Sequence, residues 1–379
     1  MHTGSETRTR SVVRVVAVVL GVHLVFVVVR LAAVGGADGF VVYDGRAYYR
    51  LALDPLTLVV TDHGIAFTRP AYWQARIGYP LASWVLSLGG RPALVPATLV
   101  LVNLLAVVGV AVLAAHAVTR WGRSPWWGVV PALWAGFLVG LGQDLTEPLA
   151  GVLLLAALLL MRSGRHVLAA LALTAAGLTR ETTLVVAVAV LVAALAARRA
   201  GPARRTAPGW WVGVVPLVAY AGWRGWVRAR WSDVVPAPPA DSPLGVPGLE
   251  LARYVGSALV HPVVEAPNLM LLVPSVLALG AAATGLRAAG PRHERLALAA
   301  YLLVLVSLPV WDRGQAYLRW GCEPLLIGWL LLAGAGGARA DRALRVLVPA
   351  VVVVWLVAAT QSIAYPLAEP AGSRWWTWS

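Results

Sequence analysis

The sequence predicts an all-α polytopic membrane protein with eleven transmembrane helices and a large, functional first outer loop. Three observations predict it. Of 379 residues, 59% are hydrophobic and only 13% charged, where a soluble domain carries roughly a quarter. The mean hydropathy is +0.75. Apolar runs approaching the ~20 residues that cross a bilayer recur along the whole length. No large soluble domain fits between them, so 1–379 reads as a single transmembrane domain.

Composition excludes other classes. A net charge of +14 would point a soluble protein toward nucleic acid. Here it reflects the basic residues that cytoplasmic loops collect, so no nucleic-acid partner is read. Every basic residue is Arg, which carries base-composition bias rather than chemistry. The single Cys322 excludes an internal disulfide and a cysteine-based metal cluster.

Taken in order, 12–34 is the first span. Its basic leader shows no small-residue cleavage site, so it reads as an uncleaved helix. His23, mid-span, reads as a satisfied interior group, and Arg30 as a side chain snorkelling to the outer interface. The polar stretch 35–91 is the first outer loop with interfacial helices; its apolar part, 79–89, lies at the interface or dips back in. The remaining spans are expected at 92–118, 125–142, 148–161, 166–179, 182–197, 210–227, 268–286, 295–310, 322–337 and 344–360. A second long outer loop, 228–267, is proline-rich and then forms a short surface helix over 249–260. The Trp pairs at 126–127 and 210–211 read as interface anchors. No internal repeat is evident, so the inverted repeats of many transporters find no support.

Charge orients the chain. With the N-terminus cytoplasmic, inner segments hold Arg8, Arg10 and Arg14, Arg120 and Arg123, Arg162 and Arg165, the Arg198–Arg205 cluster, Arg287 through Arg295, and Arg339, Arg342 and Arg345. Of the seventeen acids, only Glu6, Glu294 and Asp341 fall there. Short loops decide topology, and an odd helix count puts the tryptophan-rich C-terminus outside. The expected location is the plasma membrane, multi-pass, with lipids as partners and the 198–205 cluster on lipid headgroups. Spans 148–161 and 166–179 are short, roughly 21 Å at 1.5 Å per residue. Their outer ends, 143–147 and 179–182, must sit below the surface, where charged groups normally face a wet or protein-lined cavity. A re-entrant pair is the alternative, but it would put Arg162 and Arg165 outside.

Chemistry is densest in 41–80. Asp44, Asp54, Asp62, His63, Arg69, Arg76 and several Tyr and Trp side chains crowd a chain that is otherwise Val, Leu and Ala. Three more outer groups are expected to converge with it: 143–148 with Asp144 and Glu147, 178–182 with Arg180 and Glu181, and 311–324 with Asp312, Arg313 and Arg319. A carboxylate can take a proton from a hydroxyl, and Arg can grip phosphate bidentately. Together they suit transfer of a sugar from a lipid phosphate to a hydroxyl. Tyr48, Tyr49, Tyr72 and Trp73 could stack on sugar rings or isoprenoid.

Plainer readings stand beside these. Asp44 precedes Gly45 and could cap a turn. Arg180 and Glu181 could be a structural ion pair at a helix end. Asp62 and His63 could form an adjacent metal pair, but no other ligand stands at helical spacing. They cap or line the loop more readily, so no metal is assigned, and a divalent cation stays open as a cofactor.

The run from Tyr43 through Ala52 resembles the D-G-x-x-Y-x-x-I-A pattern after the first helix of GT-C-type glycosyltransferases, including PIG-V-like mannosyltransferases. Arg76 through Leu81, with Tyr79-Pro80, resembles the Y-P-L element that follows. Leu178 through Thr182 resembles a T-R-E/K-T element of related bacterial proteins, and Tyr317 through Pro324 a Y-x-R-x-x-x-P element. The resemblance implies a polyprenyl-phosphate sugar donor, a lipid or glycan acceptor and an extracytoplasmic site. Asp44 maps onto the general base. Arg76, Arg180 and Arg319 would hold the donor phosphate; Asp144, Glu147 and Glu181 would shape the cavity or hold sugar hydroxyls. Tyr43 stands where the family has Trp, and the aromatic F-F-P before Y-P is missing, which bears on the sugar and acceptor. Two other classes compete: a transporter or lipid-linked-sugar flippase, and a non-catalytic membrane subunit. The first needs charges along a path through the bilayer, whereas these cluster on one face.

Overall fold

A computed structural model describes residues 3–199, 208–232, 234 and 244–364. Among these residues the chain forms seventeen α-helices and one short hairpin. In order they are α1 (Thr3–Val34), α2 (Asp44–Leu53), β1 (Thr61–Asp62), β2 (Ile65–Ala66), α3 (Pro70–Gln74), α4 (Gly78–Leu86), α5 (Val95–Arg120), α6 (Val129–Ala132), α7 (Ala135–Gly142), α8 (Glu147–Arg162), α9 (His166–Thr179), α10 (Leu184–Arg199), α11 (Trp211–Trp231), α12 (Leu249–Val260), α13 (Pro262–Ala283), α14 (Arg292–Ser307), α15 (Gly314–Trp320), α16 (Cys322–Ala335) and α17 (Gly337–Ala364). The architecture is all-α.

Among the described residues, five helices are long and apolar enough to cross a membrane: Arg10–Val34, Val95–Arg120, Glu181–Arg198, Pro262–Arg287 and Gly337–Ile363. Helix lies over every stretch expected to span. One stretch differs in form. Residues 125–142 are a broken helix, Pro125–Ala132 and Ala135–Gly142, bent by 52°. Pro131 cannot donate to the ladder, and Trp134 at the break turns its indole N–H to the Leu318 carbonyl at 2.9 Å. The helix expected at 249–260 forms with those bounds as α12. The proline-rich 236–243, Arg204, Arg205 and the tryptophan-rich end at 373–379 lie outside the described residues.

The chain divides into two compact units, and α5 contributes its first half to one and its second half to the other. The first unit comprises Met1–Ala33, Val110–Val139 and Asp241–Ser379. Its centre is α16, apolar around its circumference beyond Glu323 in its first turn and buried from Cys322 to Ala333, as a helix without a broad polar face must be. α13, α14 and α17 pack around it. Gly328 of α16 meets the Ala282 backbone of α13 so closely that a Cβ would lie 2.6 Å from the Ala282 carbonyl oxygen. Close crossings through small residues are how apolar helices associate without a hydrophobic driving force. His23 is buried, its Nδ1 2.8 Å from the Val19 carbonyl and its Nε2 accepting from Trp355 at 3.4 Å. Arg30 does not snorkel: it is buried and donates to the Ser362 carbonyl.

The second unit comprises Val34–Gly109 and Gly140–Ala240. α8 pairs with α9, and α9 and α10 with α11. α3 and α4 both pack on α2, α4 also against α9 and α3 against α11. Gln74 ties α3 down. It accepts from Trp231 at 2.5 Å through Oε1 and from Trp223 at 3.1 Å through its carbonyl, and donates to the Pro55 carbonyl at 2.9 Å. The hairpin turns on His63 and Gly64, both at positive φ (49° and 72°), the geometry of a two-residue turn matched to strand twist. Beneath it, buried Arg50 donates to the carbonyls of Val59, Val60 and Ile65.

Candidate functional site

The polar groups of the second unit meet where four chain corners come together. The first is the start of α2. Asp44 opens that helix, where a carboxylate complements the N-terminal dipole. It is half-buried, and its Oδ1 accepts the Trp73 indole N–H at 3.1 Å. Tyr43 before it sits at φ 55°, ψ −132°, a backbone region that costs a non-glycine residue about 1–3 kcal/mol. Gly45 after it packs onto the Gln143 carbonyl, into which any Cβ would run.

The α3–α4 corner supplies Tyr72, Trp73, Arg76 and Tyr79. Asp44 and Tyr48 share a face of α2, being four residues apart, and this corner runs along that face. Arg76 is buried and lies 4.2 Å over the Tyr72 ring. It donates to Tyr48 Oη at 3.3 Å and, bidentately, to Glu181 at 2.7 and 2.5 Å. Burial pulls its proton affinity down, but the Glu181 carboxylate outweighs that and holds it above the usual arginine range. Tyr48 and Tyr79 are fully buried, edge to face at 5.8 Å. Burial pushes both phenols up, and Asp144 adds to the effect at Tyr79.

The 143–147 corner carries Asp144, buried and at φ 52°, with Oδ1 3.4 Å from Tyr79 Oη. Asn103 of α5 locks this corner, its Nδ2 reaching Tyr79 Oη at 2.9 Å, Leu145 O at 3.0 Å and Gly140 O at 3.1 Å. The 179–183 corner meets it. Arg180 pairs with Glu147, both buried, and reaches Thr182 Oγ1 at 2.8 Å. Gly78 at the start of α4 packs on Thr179 with no room for a Cβ.

Three of the four expected polar groups are therefore brought together, but the pairing is crossed. Arg180 bonds Glu147 and Glu181 bonds Arg76. The arrangement holds one carboxylate on an indole N–H and two guanidiniums on carboxylates, which an incoming phosphate could displace.

Arg69 is exposed at the cap of α3, and Tyr49 is half-buried. Asp62 and His63 lie on the hairpin, where Asp62 Oδ1 accepts the His63 backbone N–H at 2.8 Å and its Oδ2 is 3.7 Å from His63 Nε2. They line a cavity of about 150 Å³ with Arg50, Asp54 and Thr57. Among the described residues, no three His, Cys, Asp or Glu side chains gather as a metal site.

The fourth polar group belongs to the first unit. Asp312 is exposed, 3.9 Å from Arg313 Nε, while Arg319 is buried within α15. Nearby, Trp311 stacks on Tyr317 at 5.7 Å, and Asn268 of α13 donates to Trp311 O at 2.8 Å and accepts from Tyr317 Oη at 3.0 Å. Gln315 is buried beside them.

Asn103, Gln74 and Gln315 are polar residues that sequence reasoning passed over. A lone Asn inside the apolar 92–118 run was a readable signal, since such a group in a span is normally functional or structural glue. No family model matches the chain, and no curated protein or solved structure shows detectable similarity to it.

Proposed function

We propose that the protein is a GT-C-like glycosyltransferase that moves a sugar from a polyprenyl-phosphate donor to a hydroxyl acceptor on the extracytoplasmic face. A hexose such as mannose is favoured as the sugar. The observation that carries the reading is the gathering, in one unit, of Asp44 with the two arginine–carboxylate pairs. Asp44 is the general base. It removes the acceptor hydroxyl proton as that oxygen attacks the anomeric carbon and the bond to the phosphate oxygen breaks. One displacement inverts the anomeric centre. The polyprenyl phosphate leaves with its charge, which Arg76 and Arg180 take up as Glu181 and Glu147 yield them. Eleven spans, with the N-terminus cytoplasmic and the C-terminus outside, put this chemistry on the outer face.

The test is transfer in proteoliposomes supplied with a synthetic polyprenyl-phosphate hexose and a hydroxyl acceptor lipid. Wild type releases polyprenyl phosphate and forms a glycosidic bond; Asp44→Asn, equally expressed and folded, forms none. Full activity of Asp44→Asn, or translocation of the donor with no new bond, overturns the reading.

A further inference from the structure

The first unit contains a cavity of about 10 Å³ lined by three carboxamides, Asn268, Gln315 and Gln361, with Leu271, Leu318 and Ala358 as its apolar wall. Two of the three are already held by protein. Asn268 bonds Trp311 O and Tyr317 Oη, and Gln361 donates to Pro267 O at 3.0 Å. Gln315 is different. It is only 4% exposed, and neither its Oε1 nor its Nε2 has a hydrogen-bond partner among the described residues. A side-chain amide carries an acceptor and two donors, and buried polar groups without a protein partner are met by water or ligand. Gly314 lets the chain in: a Cβ there would lie 2.8 Å from Leu271 Cδ1 and 3.2 Å from Asn268 Oδ1.

We propose that this carboxamide cavity is a binding subsite for one hydroxyl group of a neutral, hydroxylated ligand, of the glycosyl class that the transferase reading supplies. The chemistry selects that class. No charged side chain lines the cavity, so it offers nothing to a phosphate or an ammonium. An amide can donate to and accept from the same hydroxyl, as it cannot with a purely cationic or anionic group. The volume admits one water-sized group, hence a hydroxyl and not a ring. Leu271 and Leu318 meet the C–H bonds beside it.

The test uses the full chain in nanodiscs and saturation-transfer NMR with methyl mannoside and its four monodeoxy analogues. Wild type is expected to transfer saturation to the mannoside. One deoxy analogue should lose the signal by about fivefold, the effect of one missing hydrogen-bonded hydroxyl. Gln315→Leu should lose it equally while melting no lower, since it removes an unpaired buried amide. Equal signals from all analogues, or from wild type and Gln315→Leu, overturn the subsite and leave a cavity for water alone. The deoxy series keeps the test independent of whether the variant folds. The underlying reading fails separately: Gln315-dependent binding without transfer by any protein sinks the transferase and keeps the subsite, whereas transfer with Gln315-independent binding does the reverse.

Discussion

Replacing Glu181 by Gln should destabilise the second unit by about 2–3 kcal/mol, a value that follows from how Arg76 is held. The guanidinium makes two bonds to Glu181, at 2.7 and 2.5 Å, and the side chains are 7% and 28% exposed. Breaking a buried pair by removing one partner costs about 3–5 kcal/mol, because the other charge is left desolvated. The partial exposure of Glu181 screens part of that, and Gln keeps one acceptor. The double variant Arg76→Met with Glu181→Leu removes both charges, and an apolar pair of similar volume is often no less stable than a buried ion pair. A double-mutant cycle on unfolding in detergent micelles, with Arg76→Met, Glu181→Leu and their combination, should therefore give a coupling of about 2 kcal/mol. Additive single losses, with coupling below about 0.5 kcal/mol, would refute the reasoning.

Four other substitutions follow, three at these corners and one, Gly64→Ala, in the hairpin turn. Gly45→Ala drives a Cβ into the Gln143 backbone carbonyl and should cost more than about 2 kcal/mol. Gly64→Ala, at φ 72° with nothing near its Cβ position, should cost about 1 kcal/mol; equal melting shifts for the two would contradict the close approach. Trp73→Phe keeps an aromatic ring but removes the indole N–H from Asp44, so transfer should fall about tenfold, the worth of one hydrogen bond, in a protein of unchanged fold; an unchanged rate argues against Asp44 being oriented this way. Tyr48 and Tyr79 have raised pKa values in the folded state, so the stability they contribute is full below the unfolded value of ~10 and is lost as pH climbs toward the folded values. Each adds a loss of about 1.4 kcal/mol per pH unit over that window. Tyr48→Phe should halve the slope that the two produce in the melting temperature between pH 10 and 12; an unchanged slope refutes the assignment.

Helices were legible because apolar runs that must cross or fill a core leave few alternatives. The short helix at 249–260 was readable after the proline-rich stretch, and α12 has those bounds. The break inside 125–142 was harder, since Pro131 is tolerated in many spans and the deciding contact, Trp134 to Leu318, joins residues 184 apart. The candidate site was legible as a set of residues more than as a set of bonds. Asp44, Arg76, Asp144, Glu147, Arg180 and Glu181 could be named from polarity in an apolar chain. Their crossed pairing could not, because it depends on which corners meet, and sequence proximity favoured Arg180 with Glu181. Arg30 shows the same limit: near a helix end it read as snorkelling, but a carbonyl 332 residues away receives it. Gln315 was overlooked beside Tyr317 and Arg319 because an amide carries no charge to draw the eye.

The most direct measurement compares envelope glycans and lipid-linked sugars in a strain lacking this protein, complemented with wild type or with Asp44→Asn at matched expression. The transferase account predicts that a glycan disappears on deletion, that its donor lipid accumulates, and that only wild type restores it. Equal restoration by both proteins would contradict the account, because the carboxylate at the start of α2 would then have no part in the chemistry.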